Sequence, residues 1–303
     1  MQLGQIRAFL AVREAGSLRA AAHRIGISQP AISKAMASLE ADLQAALFIR
    51  TSRGVRLTEA GRLFGARAGV VLAELGRARE ELSELSGGTQ GSVAVGVGAG
   101  SVVLTPRAIA RFRAERPKAR IRIREGTRDV LLPLVRDGSL DFAIAERGPA
   151  PVEGGLVFRR LWQAEMAIAA RRGHTLARAT VLAELAGASW VLVYRLGAGG
   201  LLERAFASAG LPPPDMSVHC ESHAVTLALI AGSDLMGMLP VQDLQAGVAA
   251  GRLQRVDIRE RLPRAHVGAF MRADTPLSTT AHRMLQAITM AARSLRSKGP
   301  VRG

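Results

Sequence analysis

Phe64, Ala68, Val71, Leu75, Ala78, Leu82 and Leu85 recur at spacings of 4, 3, 4, 3, 4 and 3 residues. A period of about 3.5 residues is that of a coiled-coil seam, so it predicts one continuous helix whose apolar edge pairs with a second helix. Arg77, Arg79, Glu80, Glu81 and Glu84 flank the seam, as exposed positions should. Thr58 can cap the helix, and Glu59 sits in its first turn, where the dipole favours an acid. From Thr58 to Ser86 such a helix would run roughly 40 Å. The same stripe also fits a helix docked on its own domain; the strict period favours pairing of two chains. The run stops at Ser86-Gly87-Gly88-Thr89-Gln90-Gly91, a hinge-like stretch and the clearest boundary in the sequence. The 303 residues thus divide into a segment at 1–57, a linker helix at 58–86, a hinge at 87–91 and a segment at 92–303.

In the first segment Leu3, Ile6, Phe9 and Leu10 follow helical spacing, which predicts an amphipathic helix over 2–14. Ser17 caps a second helix, Leu18 to Ile25, and Gly26 ends it. Ser28 caps a third, with Pro30 in its first turn, where a missing N–H costs nothing. This helix runs from Gln29 to Glu40 with Ile32, Met36 and Leu39 on one stripe, while Gln29, Ser33 and Lys34 project from the other side. Two short helices around a tight turn, the second presenting polar donors, suit a reader of the DNA major groove. Gln can pair bidentately with adenine, Ser can meet bases or phosphates, and Lys can reach guanine or a phosphate. Arg50 to Leu57 then reads as strand, turn and strand, a basic wing. A generic three-helix bundle with a solvated charged face fits these patterns as well.

Charge supports the reader without deciding it. The formal net charge is +16, yet residues 1–57 hold eight basic against three acidic groups, a net of +5. Most of the excess therefore lies outside the segment assigned to DNA. No stretch reaches the length of unbroken apolar residues that a membrane helix needs, and the N-terminus lacks a signal-peptide pattern. A cytoplasmic location and no membrane association are expected. Cys220 is the only cysteine, so an internal disulfide is excluded.

The pieces Phe9 to Gly16, Ser17-Leu18-Arg19-Ala20-Ala21-Ala22, Ile27 to Ser33, Leu39-Glu40, Leu47 to Arg50 and Leu57-Thr58-Glu59-Ala60-Gly61, in this order and spacing, closely resemble the LysR-type transcriptional regulators. The resemblance implies a winged helix-turn-helix whose third helix enters the groove. The positions matching the family's DNA contacts are Gln29, Pro30, Ser33 and Lys34, with Arg50 and Arg53 near the wing. It also implies paired linker helices, homodimers and commonly homotetramers, an interrupted palindromic promoter site on double-stranded DNA, and contact with RNA polymerase in an activator. Leu134 to Ile144 matches a signature of the family's effector domain, so the resemblance covers essentially the whole chain. Through Gly16 to Ala22 and Cys220-Glu221-Ser222 the chain is also similar to regulators of aromatic sulfonate degradation.

Beyond Gly91, strand-like and helical segments alternate. Strands are expected at 92–97, 120–124, 141–145, 166–170, 190–194, 216–220, 235–239 and 266–271, and helices at 105–115, 129–136, 180–186, 199–209, 223–231, 241–249 and 279–296. Alternation of this kind argues for an α/β fold. The resemblance implies a periplasmic-binding-protein-like effector domain, with lobe I at about 92–161 and 267–303 and lobe II at about 162–266. The overall class is thus α+β multidomain. Ligands in such sheets lie beyond the carboxyl ends of strands. Gly100, Ser101, Val102, Thr127, Arg128, Glu146, Leu196, Gly197, Ser222 and His223 are therefore expected at the cleft. Ser101 and Ser222 at helix N-termini favour an anion, a small organic acid, unless the serines merely cap.

Catalytic and metal motifs are absent from the sequence. In His219-Cys220-Glu221-Ser222-His223, strand alternation sends neighbouring side chains to opposite faces, so the ligands do not converge. Gly96-Val97-Gly98-Ala99-Gly100 lacks the spacing of a phosphate loop or a dinucleotide fingerprint. No cofactor, no metal and no enzymatic reaction is expected. The competing class is an enzyme or solute-binding protein of the same α/β fold, which would need neither the basic recognition helix nor the seam.

Overall fold

The computed structural model describes residues 1–52, 54–85, 91–152, 154–194 and 199–296. The chain forms two compact units, one of Met1–Gly91 with Leu134–Leu140 and one of Ser92–Pro133 with Asp141–Gly303.

The first unit opens with α1 (Leu3–Ala15), α2 (Leu18–Ile25) and α3 (Gln29–Leu43). Local chemistry sets each boundary. Ser17 Oγ accepts from Ala20 N–H, Gly26 turns left-handed at φ 71°, and Ser28 Oγ accepts from Ala31 N–H. The third helix runs past Glu40 to Leu43, where Gln44 at φ 52° ends it. The wing is an antiparallel pair, β1 (Phe48–Thr51) and β2 (Gly54–Leu57). It is pinned to the end of α1 by a hydrogen bond from Val55 N–H to Gly16 O at 2.9 Å. Only glycine fits at 54: its φ is 133°, and a Cβ there would overlap Gly16 O. The core of the unit gathers on Phe9, fully buried, with the rings of Phe48 and Phe64 at 5.1 and 5.0 Å. Phe64 belongs to α4 (Glu59–Leu85), whose first turn is capped by Thr58 Oγ1 accepting from Gly61 N–H at 2.9 Å. Within the same unit Arg13 Nη2 pairs with Asp137 at 2.9 Å.

The second unit holds two lobes. A five-stranded sheet in the order β4-β3-β5-β12-β6 is built from β3 (Ser92–Val97), β4 (Arg120–Glu125), β5 (Phe142–Glu146), β6 (Leu156–Ala164) and β12 (Ala265–Arg272). The β3–β4 and β3–β5 pairs are parallel, and β12 runs antiparallel to both β5 and β6. Its helices are α5 (Thr105–Glu115), α6 (Arg128–Arg136, whose last three residues are counted with the first unit) and α10 (Thr279–Arg296), and α10 returns to lie against α5 and β3. In the other lobe β7 (Met166–Arg171) is flanked antiparallel by β10 (Gly237–Pro240) and β11 (Leu253–Val256). Beside it β8 (Ser189–Leu192) and β9 (Asp215–His219) pair in parallel. The helices α7 (Leu201–Ser208), α8 (His223–Gly232) and α9 (Val241–Ala249) complete the lobe. Trp190, fully buried and edge-on to Phe206 at 5.9 Å, anchors one of its cores.

Two expectations are corrected here, and two strands are added. The strands β6 and β11 lacked a recognisable sequence pattern, because arginine and glutamine interrupt their alternation. The expected helix at 180–186 is one short 3₁₀ turn, Leu182–Leu185. Ser101 does not open a regular helix: it lies inside a 3₁₀ segment, Ala99–Leu104, that precedes α5.

Candidate functional site

The reader surface follows from the one-sided burial of α3. Ile32, Met36 and Leu39 are buried, while Gln29, Pro30 and Lys34 are exposed and Ser33 is half-buried beside them. Four residues named from the sequence therefore share the solvent side of one helix. Arg50 lies on β1 opposite Val55; Arg53 falls outside the described residues. Arg56, exposed on β2, was not singled out from the sequence. The alternation along the strand that carries Arg56 outward was the available signal.

The seam divides in two. Phe64 is half-buried against Phe9, and Ala68 is 2% exposed, so both serve the chain's own packing. Val71, Leu75 and Leu82 are 46%, 41% and 65% exposed, and Ala78 is exposed as well. Leu85 carries no described side-chain environment. Leu63, 68% exposed, adds to the open apolar surface of α4 and lies off the heptad spacing.

In the second unit a cavity of about 550 Å³ opens where β3, β4 and β5 end. One wall is Gly98 to Gly100, Glu125 to Val130 and Ala145 to Pro149 without Arg147; the other lobe supplies Val193, Tyr194, Gly200, His219 and Glu221. Of the expected cleft residues, Gly100, Thr127, Arg128 and Glu146 line it. Leu196 and Gly197 fall outside the described residues. Val102 packs toward the core of the five-stranded sheet. The Ser101 hydroxyl is buried and faces backbone carbonyls, Gly98 O at 2.7 Å and Ile144 O at 3.2 Å, so it offers nothing to the cavity. Ser222 caps α8 by accepting from Val225 N–H at 3.4 Å. The neighbouring His223 N–H donates to the Glu125 carboxylate at 3.0 Å, across from β4.

The cavity's electrostatics follow from these positions. The Arg128 guanidinium donates to Arg147 O at 2.6 Å and lies over Gly148, where a Cβ would crowd it. Burial pushes the Glu146 carboxyl above its ordinary value, against the pull of Arg204 and Arg128. Burial likewise pushes the Tyr194 phenol up to about 12. That hydroxyl accepts from Leu202 N–H at 2.9 Å and so closes the start of α7. Gly200 must be glycine, since a Cβ would overlap the Tyr194 ring. Behind α8, His223 Nε2 sits 3.4 Å from Asp243, both buried. Burial raises Asp243 to about 7 and lowers His223. Glu125, Tyr194 and Glu221 escaped the sequence reading, although Glu125 ends a strand at the edge where ligands are expected.

Residues 3–62 match the bacterial regulatory helix-turn-helix family of LysR type, and residues 86–293 match the LysR substrate binding domain. The chain belongs to the LysR family. It is 35% identical over 263 residues to the transcriptional regulator GalR of Pseudomonas putida, covering 85% of this chain and 66% of that protein. It thus spans just under two thirds of that relative's length. With the regulator GbpR of Azospirillum brasilense it shares 32% identity over 300 residues, 96% of this chain and 86% of the relative. Crystal structures of LysR-family CbnR align with a TM-score of 0.68 at 23% identity, covering 96% of this chain and 99% of CbnR. ArgP of Mycobacterium tuberculosis aligns at 0.67 with 22% identity, covering 99% and 98%. The LysR-type chain is therefore a transcriptional regulator with an effector-binding domain, and its relatives are regulators rather than enzymes. Among the described residues no helix is long and apolar enough to cross a membrane, and no three His, Cys, Asp or Glu side chains gather to hold a metal.

Proposed function

We propose that this LysR-type regulator works as a homodimer, and as a tetramer of two such dimers, reading two half-sites of a promoter through α3 and the wing. A small organic acid in the 550 Å³ cavity would then alter DNA binding or promoter activation. The observation that carries the DNA assignment is the polar face of α3: Gln29, Pro30 and Lys34 stand free beside Ser33, opposite a fully apolar buried stripe. Full-length CbnR has been crystallised with its target DNA, which supports the same use of the same fold. Pairing is supported by the open half of the seam, where Val71, Leu75 and Leu82 remain substantially exposed in one chain. The effector's anionic group is assigned to Arg128, the only arginine or lysine among the described cavity residues. Its planar fork has N–H groups beyond the one held by Arg147 O. Gel retardation on the region upstream of the gene tests the DNA assignment. Gln29→Ala with Ser33→Ala should cost at least about tenfold in affinity; unchanged retention would remove α3 as the reader.

A further inference from the structure

The cavity offers more hydrogen-bond acceptors than an organic acid alone could use. Among the described lining residues Glu125, Asp129, Glu146 and Glu221 stand against one guanidinium, that of Arg128, and the imidazole of His219. Two of the groups expected to receive an anion are occupied from within. The Ser101 hydroxyl is turned to Gly98 O and Ile144 O, and the start of α8 is filled by Glu125, a carboxylate of the protein itself. Among the described residues the half-buried Glu146 carboxyl makes no hydrogen bond. Arg204 and Arg128 offset part of its charge, but a ligand that displaces water from this carboxyl must still supply a donor in exchange. Val130 and Pro149 on one wall, with Val193 and Tyr194 on the other, add a surface suited to the flat or methine face of a ring or short chain.

Resting on the reading that this cavity holds the effector, we infer that the effector is a hydroxylated organic acid whose hydroxyl groups donate to Glu146 and Glu125 while its acid group meets Arg128. An O–H donating to a carboxylate is a charge-assisted bond, stronger than a neutral one. A site built to accept from hydroxyls discriminates against the analogue that lacks them, because its own acceptors are left unpaired. The preference is thus for hydroxyl number and placement on an acid, more than for hydrocarbon bulk.

The test uses the full chain and two matched sets of probes at millimolar concentration, read by thermal shift and calorimetry. The first set is hexanoate, gluconate and sorbitol; the second is benzoate, 3,5-dihydroxybenzoate and resorcinol. The hydroxylated acid of at least one set should bind about tenfold or more tighter than its bare acid. Glu146→Gln and Glu125→Gln, both near-isosteric, should each narrow that ratio, while Arg128→Gln should weaken the acids and spare the polyol or diol. Equal binding of bare and hydroxylated acids would overturn the inference and leave the organic-acid reading intact. Sorbitol or resorcinol binding as tightly as the matching hydroxylated acid would overturn the organic-acid reading and, with it, the inference that the acid group meets Arg128. Silence from every probe would overturn both.

Discussion

The helices α3 and α8 begin with the same local chemistry and end up with opposite roles. Ser28 accepts from Ala31 N–H at 3.3 Å, and Ser222 accepts from Val225 N–H at 3.4 Å. At α3 Gln29 and Lys34, in and just past the first turn, are exposed among the described residues. At α8 the Glu125 carboxylate covers the first free N–H, and His223 is buried against Asp243. One helix start is left open for an outside anion such as a phosphate; the other is filled by the protein. The difference lies in tertiary neighbours, which is why a sequence reading treats the two serines alike.

The largest expected effect separates the two units by stability. Phe9 is the fully buried centre of the unit that carries α3. Phe9→Ala should cost about 3–5 kcal/mol and lower the first transition in a thermal scan, leaving the unit that carries α8 to melt as before. A single unchanged transition would show that the reader does not depend on this core.

Next, the buried pair behind α8 should give only that unit a pH signature. Asp243 is raised to about 7 from 3.8, so the folded state holds a proton that the unfolded state has released. Stability from this group is full at low pH and is lost as pH rises through about 7. His223, lowered by burial, opposes the trend, favouring the folded state as pH rises. In Asp243→Asn the loss between about pH 4 and about pH 7 should vanish, leaving the rising His223 contribution. An unaltered pH profile would contradict the burial argument.

Smaller effects address the reader and the two caps. Lys34→Ala should lessen the salt dependence of DNA retention by about one unit of slope, whereas Gln29→Ala should act alike at every salt concentration. Ser28→Ala should cost about 1 kcal/mol. Ser222→Ala should cost less, because Glu125 continues to hold the adjacent N–H. Equal costs would mean that the carboxylate contributes nothing to the start of α8.

Much of this molecule was legible in its residues because the informative signals are local. Ser17, Gly26, Ser28 and Thr58 fix helix ends within a turn, and α2, α5 and α10 begin and end where their caps and periodicity place them. The apolar stripe of α3 named the polar face by elimination. The cleft was less legible. Gly100, Thr127, Arg128 and Glu146 could be named from strand ends, but which hydroxyls and amides remain available depends on contacts across long separations. Ser101 faces Ile144 O, and Glu125 reaches His223, 98 residues away. The seam shows the same limit. Its period predicted a partner for every position, yet Phe64 finds Phe9 within its own chain.

The central claim is that two copies of α3, held together through the open half of α4, read DNA as a pair. Footprinting beside sedimentation tests it most directly, using the wild type and a Val71→Glu, Leu75→Glu double variant. The wild type should sediment as a dimer or tetramer and protect two separated half-sites. The variant, with two charges on the exposed apolar edge, should fall to a monomer and lose that protection. A monomeric variant that still protects both half-sites with wild-type affinity would contradict the account.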